Sequence, residues 1–219
     1  MNGLQRLVAA AAVLLVVACD APSLTRPTPA YDPTTLTGGV LYHWVPGATV
    51  RVFVAGSGGA RDLPLAVRQA IALWNPTRQF NEFTLEQTTS IADANIVIYE
   101  RATAAPVGPG SCAFDARGAA GYTYFCPGSG TPKRAETLPL TGGGPSRATV
   151  IILVDAGRVD SQRAFNAVVA HEFGHALGIG AHSSTVTDLM FGSPSVEAPT
   201  ARDVATLRYL LGQPADLTL

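Results

Sequence analysis

The chain carries no excess of charge of either sign, few cysteines, few histidines and no apolar run long enough to cross a bilayer. Lys and Arg number 15 against 16 Asp and Glu, so no basic surface is available to hold nucleic acid phosphates, and there is no acidic tail. The longest apolar stretch, residues 7–18, falls well short of the roughly 20 residues that a spanning helix needs. None of the three cysteines has a C-x-x-C partner, which argues against a cysteine zinc site. There is no internal repeat, and no EF-hand-like spacing supports a calcium site. What is present is 219 residues with a hydrophobic fraction of 47%, enough for one substantial domain but cramped for two. The 22 glycines and 16 prolines exceed average usage and favour a fold rich in turns over a helical bundle.

The first 18 residues read as a secretory signal. Arg6 precedes the apolar run, whose length matches an h-region. The residues "VVAC" ending at Cys19 resemble a bacterial lipobox. That resemblance implies a diacylated Cys19 and a lipoprotein anchored in the cell envelope, with inner and outer membrane both open; an ordinary signal peptide is the alternative. With Cys19 lipidated, Cys112 and Cys126 remain as an even pair in an oxidising compartment. A disulfide between them is expected, closing a loop of about 15 residues that contributes about 3 kcal/mol in the chain-entropy model. Two buried thiols are the other reading.

Residues 19–39 are rich in Pro and Thr without apolar periodicity and are expected to form an extended tether. The domain is expected to span 40–213, followed by a short tail, 214–219. Alternation in "ATVRVFVA" predicts a half-buried strand, and another strand is expected at "ANIVIY". Asp62 can cap a helix through "LPLAVRQAIALW" with Pro64 in its first turn. The region 101–147 is a long Gly/Pro-rich loop with one strand-like run, "GYTYF", and "ATVIILVD" reads as a buried strand. A helix capped by Asp160 or Ser161 buries Phe165, Val169, Phe173 and Leu177 and stops at Gly178. Thr200 with Asp203 at N3 opens a last helix that ends at Gly212.

Three of the four histidines fall in "HEFGHALGIGAH", residues 171–182. His171 and His175, four apart on a helix, stand on one face and can ligate one zinc ion. Glu172 lies about 100° round the helix, badly placed as a ligand but able to reach a water beside the metal, as a general base must. Gly178 lets the chain turn back, and His182 is the one histidine available as third ligand.

This pattern resembles the metzincin zinc proteases, whose long motif is H-E-x-x-H-x-x-G-x-x-H followed by a methionine turn. Here the third histidine comes one residue late, with Ala181 in its usual place. The spacing after His182, with Ser183 next and Met190 eight residues on, looks like the matrixin subfamily. The resemblance extends in weaker pattern over most of residues 40–212.

It implies an α+β catalytic domain: a twisted, mostly parallel sheet with an antiparallel edge strand, an active-site helix and a C-terminal helix. It further implies one catalytic Zn2+ held by His171, His175 and His182, Glu172 as base, Met190 as a hydrophobic floor, and an extended peptide laid along an edge strand. "GYTYF" is the candidate edge, with an interior strand as the alternative. Asp188 is a candidate for fixing the methionine turn or a histidine from behind, or a solvated loop acid. Glu197, the carboxylate a gluzincin site would need, does not read as helical. His43 reads as a packed or surface imidazole. The animal-type cysteine switch and histidine-rich structural zinc site are missing, and calcium remains unsupported. The expected function is zinc endopeptidase, acting as a monomer on protein or peptide. An inactive binding lipoprotein of this fold and a zinc hydrolase of another amide stand as rivals.

Overall fold

The computed structural model describes residues 28–56, 59–100, 118–125, 138–140, 143–146, 150–214 and 217–218. Cys19, Cys112 and Cys126 lie outside these residues, as does the 1–18 signal. Five strands form the main sheet: β2 (Ala48–Ala55), β3 (Phe83–Thr88), β4 (Ile96–Glu100), β5 (Gly121–Phe125) and β8 (Val150–Val154), in the order β3-β2-β4-β8-β5. All neighbours run parallel except β5, which pairs antiparallel with β8 at the edge. The fold is therefore the mostly parallel α+β sheet with an antiparallel edge strand that was expected. A two-residue strand β1 (Tyr42–His43) pairs with β9 (Leu217–Thr218), and β6 (Leu138–Leu140) with β7 (Gly143–Ser146).

Every residue of β4 and β8 is buried, as the unbroken apolar runs "IVIY" and "VIILV" require of strands covered on both faces. One face carries Val50, Val52, Ile96, Ile98, Val150 and Ile152 into the main core against the helices. The other carries Val97, Tyr99, Ile151 and Leu153 into a smaller cluster with Phe53 and Tyr124. β3 has no signature in the sequence because "FTLEQT" sends only Phe83 and Leu85 inward and leaves the other edge polar.

Helix α1 (Leu63–Trp74) starts where Asp62 accepts the Leu65 N–H at 2.8 Å. Helix α2 (Gln162–Ala176) starts where the Ser161 hydroxyl accepts the Ala164 N–H at 3.1 Å, which settles the cap on Ser161. Phe165, Val169, Phe173 and Leu177 are fully buried along one stripe, each side chain stabilising the domain by roughly 1.5–3 kcal/mol. The indole N–H of Trp74 donates to Ala170 O at 2.8 Å and that of Trp44 to Ala176 O at 2.9 Å, which fixes α2 against α1 and against the residue that follows β1. Helix α3 (Ala201–Leu211) opens with the Thr200–Asp203 capping box.

Two segments depart from expectation. The described part of the stretch read as a free tether, residues 28–39, lies on the domain instead. Ala30 N–H donates to Thr206 Oγ1 at 3.1 Å, Tyr31 OH to Asp203 Oδ1 at 2.9 Å, and Leu36 N–H to Gly180 O at 2.8 Å. It docks through backbone groups and one tyrosine, so it needs no apolar period. Within the tail 214–219, Leu217 and Thr218 complete the small parallel pair with β1.

Candidate metal centre

The end of α2 sets the site. Gly178 N–H donates to His175 O at 2.8 Å and Ile179 N–H to Gly174 O at 3.1 Å, a Schellman turn with Gly178 at φ +114°. A Cβ at Gly178 would lie 2.1 Å from the backbone oxygen of Tyr42, so only glycine fits. The turn brings Ile179 O back onto His175 Nδ1 at 2.6 Å. His171 Nδ1 meets Leu189 O at 2.8 Å. A carbonyl only accepts, so each Nδ1 carries the proton and each Nε2 presents a bare lone pair.

Those two Nε2 atoms face each other 3.0 Å apart. With both protons committed to carbonyls, no hydrogen bond can form between them. The arrangement calls for a cation: two nitrogens on one tetrahedral zinc are separated by roughly 3.3 Å. Burial pulls the His171 pKa down to about 4, and burial together with His171 holds His175 well below its ordinary value, so protons are poor candidates.

His182 completes the group. Ligand nitrogens of His171, His175 and His182 all lie within 4.8 Å of one another. Ring centroids are 4.7 Å apart for His171–His175 and 5.2 Å for each of the other two pairs. Three imidazoles on one zinc would place their centroids about 5 Å apart, so the residues fit the ion. His182 is the exposed member, and burial lowers its pKa as well.

The late arrival of His182 is absorbed by the loop 179–181. Ala181 is buried, and a Cβ on Gly180 would sit 2.3 Å from Thr37 Cγ2, so the docked N-terminal segment packs directly against the added length.

Met190 is fully buried against Gly174, where a Cβ would come within 2.3 Å of its sulfur and 2.9 Å of Trp74. The second variable position of H-E-x-x-H is thus glycine because Met190 and Trp74 occupy its side. Ser183 N–H donates to Met190 O at 2.8 Å and closes the turn. Asp188 fixes that turn and touches no histidine: it accepts from Ser183 at 2.5 Å, Arg202 at 2.9 Å and Thr200 at 3.0 Å. Burial pushes its pKa up, but those hydrogen bonds and the Arg202 charge outweigh it and hold the carboxyl below the ordinary range.

Glu172 is buried beside the centre, and burial raises its pKa from 4.5 to about 8 against a hydrogen bond from Thr123 that lowers it. A cation nearby would bring the carboxylate back toward ionisation. Glu197 is tied to Arg163 at 3.1 Å and Asn166 at 3.3 Å in the first half of α2, outside the cluster. Both His43 nitrogens face carbonyls, Trp44 O at 2.9 Å and Gln213 O at 3.0 Å, so this ring packs rather than ligates.

Two residues of the site have no signal in the sequence beyond local roles. Thr123 places its hydroxyl 2.6 Å from Glu172 Oε2. Asp203, readable only as a cap, is fully buried and also accepts the N–H groups of Leu189 at 2.9 Å and Met190 at 3.3 Å. It thereby holds the turn whose Leu189 carbonyl orients His171.

Fold and site together define an α+β domain with a three-histidine metal centre beside a buried glutamate. No family model matches the chain, and no curated protein does. Among solved structures, one titled "Structure of myroilysin" overlaps 78% of this chain and 96% of its own at 13% identity, with a TM-score of 0.43. A second myroilysin structure overlaps 85% and 90% at 11% identity, with a TM-score of 0.43. Metalloproteinase-II from Bacteroides fragilis overlaps 81% of this chain and 61% of its own at 15% identity, with a TM-score of 0.37. Likeness at this level decides nothing about chemistry, which rests on the side chains above.

Proposed function

We propose that the chain is a zinc-dependent endopeptidase of the metzincin kind, with His171, His175 and His182 as ligands and Glu172 as general base. The observation that supports it best is the facing pair of Nε2 lone pairs, 3.0 Å apart, with each ring pinned by a carbonyl on its far side. Bound zinc would supply a Lewis acid that polarises a peptide carbonyl and makes a water acidic enough to attack near neutral pH. Glu172 takes the attacking water's proton and returns it to the leaving amine nitrogen. Strand β5 offers its outer edge to an extended peptide, whose backbone continues the antiparallel ladder beyond β8. Met190 forms the apolar floor beneath the histidines.

The N-terminal sequence supports an exported protein in which the 1–18 signal is removed, Cys19 carries lipid, and Cys112 pairs with Cys126. The protein then works as a monomer at the cell envelope; mass spectrometry of the N-terminal peptide tests the anchor.

The deciding experiment compares purified protein with Glu172→Ala on an unfolded protein substrate, with zinc measured in both. Cleavage by the parent alone, at equal zinc content, is the expected result. Zinc without turnover in the parent favours a binding module, and turnover unaffected by the substitution eliminates Glu172 as the base.

A further inference from the structure

We propose that Thr123 is a positioning residue for Glu172: its hydroxyl, reaching down from the edge strand, holds Oε2 so that Oε1 alone meets the reacting water. The inference deepens the hydrolase reading and rests on it for its catalytic meaning.

The antiparallel register pairs Thr123 with Ile152 and puts Gly121, Thr123 and Phe125 on the face of β5 that looks toward α2. Thr123 Oγ1 lies 2.6 Å from Glu172 Oε2 and 3.1 Å from the main-chain oxygen of the same residue. A hydroxyl has one proton, so it serves one of these acceptors at a time. With Glu172 ionised, the short contact is a charge-assisted bond to Oε2. The carboxylate of Glu172 is thus held by one residue of the neighbouring strand.

Gly121 completes the arrangement. A Cβ there would stand 2.4 Å from Glu172 Oε1 and 2.8 Å from its Cγ, so the strand must be bare at 121 and hydroxyl-bearing at 123. Among the described residues Oε1 has no hydrogen-bond partner, while Oε2 is held. A glutamate with free rotation about its side-chain bonds would sample several rotamers; this one has one oxygen anchored, and the other lies against Gly121.

Two variants and two readouts test the proposal. Thr123→Val keeps the branched shape that a strand favours and removes the hydroxyl, whereas Thr123→Ser restores it. The first readout does not depend on turnover: NMR of the Glu172 side chain in metal-free protein. One fixed rotamer is expected in the parent and in Thr123→Ser, and averaging over several in Thr123→Val. A single unchanged rotamer in Thr123→Val overturns the proposal, whether or not the protein is an enzyme. The second readout is steady-state kinetics of zinc-loaded protein. Thr123→Val is expected to lower kcat about 10- to 100-fold with KM within about twofold and zinc content unchanged, and Thr123→Ser to recover most of the loss. An unaltered kcat in Thr123→Val, or a loss that serine does not rescue, overturns it. Failure of the parent to turn over with zinc bound sinks the hydrolase reading instead and leaves the NMR comparison to decide the placement of Glu172.

Discussion

Replacing Asp203 with alanine is expected to loosen the metal centre from behind while leaving every ligand in place. The carboxylate is fully buried and accepts from the N–H groups of Leu189, Met190 and Thr200 at 2.9, 3.3 and 2.8 Å, and from Tyr31 OH at 2.9 Å. Leu189 and Met190 are themselves fully buried, so their N–H groups have no water to turn to. Each buried donor left without a partner costs about 1–3 kcal/mol, which puts the two together at roughly 2–6 kcal/mol. For a domain of this size 1 kcal/mol moves Tm by about 2–4 °C, so a fall of roughly 5–20 °C is expected by scanning calorimetry. The same turn supplies the Leu189 carbonyl that holds His171 Nδ1 at 2.8 Å. Its release should weaken zinc binding by about 10- to 100-fold, measured by competition with a chromophoric chelator. A variant whose Tm stays within about 2 °C of the parent and whose zinc affinity is unchanged would refute the reasoning, because buried N–H groups cannot be orphaned at no cost.

Gly178→Ala is expected to destabilise the fold by at least about 2 kcal/mol in urea titration, because φ is +114° and the new Cβ would meet a backbone oxygen that cannot step aside. Glu172→Gln is expected to stabilise the metal-free protein at pH 8 and to make no difference below about pH 4.5. The sign follows from a folded pKa raised from 4.5 to about 8: the native carboxyl holds its proton longer than the unfolded one, so the parent loses stability as pH rises across that window. Parallel melting curves from pH 4 to 8.5 in chelator check this, and a gain that does not grow with pH would contradict it. Asp188→Asn is expected to blunt acid denaturation. Its folded pKa is depressed, so its contribution is present above the ordinary carboxylate range and vanishes as pH falls below it.

What could be read in the sequence was whatever a short window contains. "HEFGHALGIGAH" held its own helix period, its stop at Gly178 and the ring spacing, "ANIVIY" announced a strand, and "ATVIILVD" announced a buried one. The unread parts depend on register and docking. Thr123 meets Glu172 only because β5 pairs with β8 at Thr123↔Ile152 and α2 packs beneath, and neither fact is local. Asp203 was legible as a cap, but its bonds to Leu189 and Met190 span 14 and 13 residues. β3 escaped notice because its inward residues number two, Phe83 and Leu85, in a polar run. The segment 28–39 looked like a tether because composition records the lack of a period and is silent about backbone groups that dock one by one.

The most direct measurement is X-ray absorption at the zinc edge of the loaded protein, run beside His182→Ala. Three imidazole nitrogens at about 2.0 Å with one further oxygen are expected in the parent, falling to two imidazole nitrogens in the variant. A parent spectrum with only two imidazoles, or one that His182→Ala leaves untouched, would contradict the three-histidine centre.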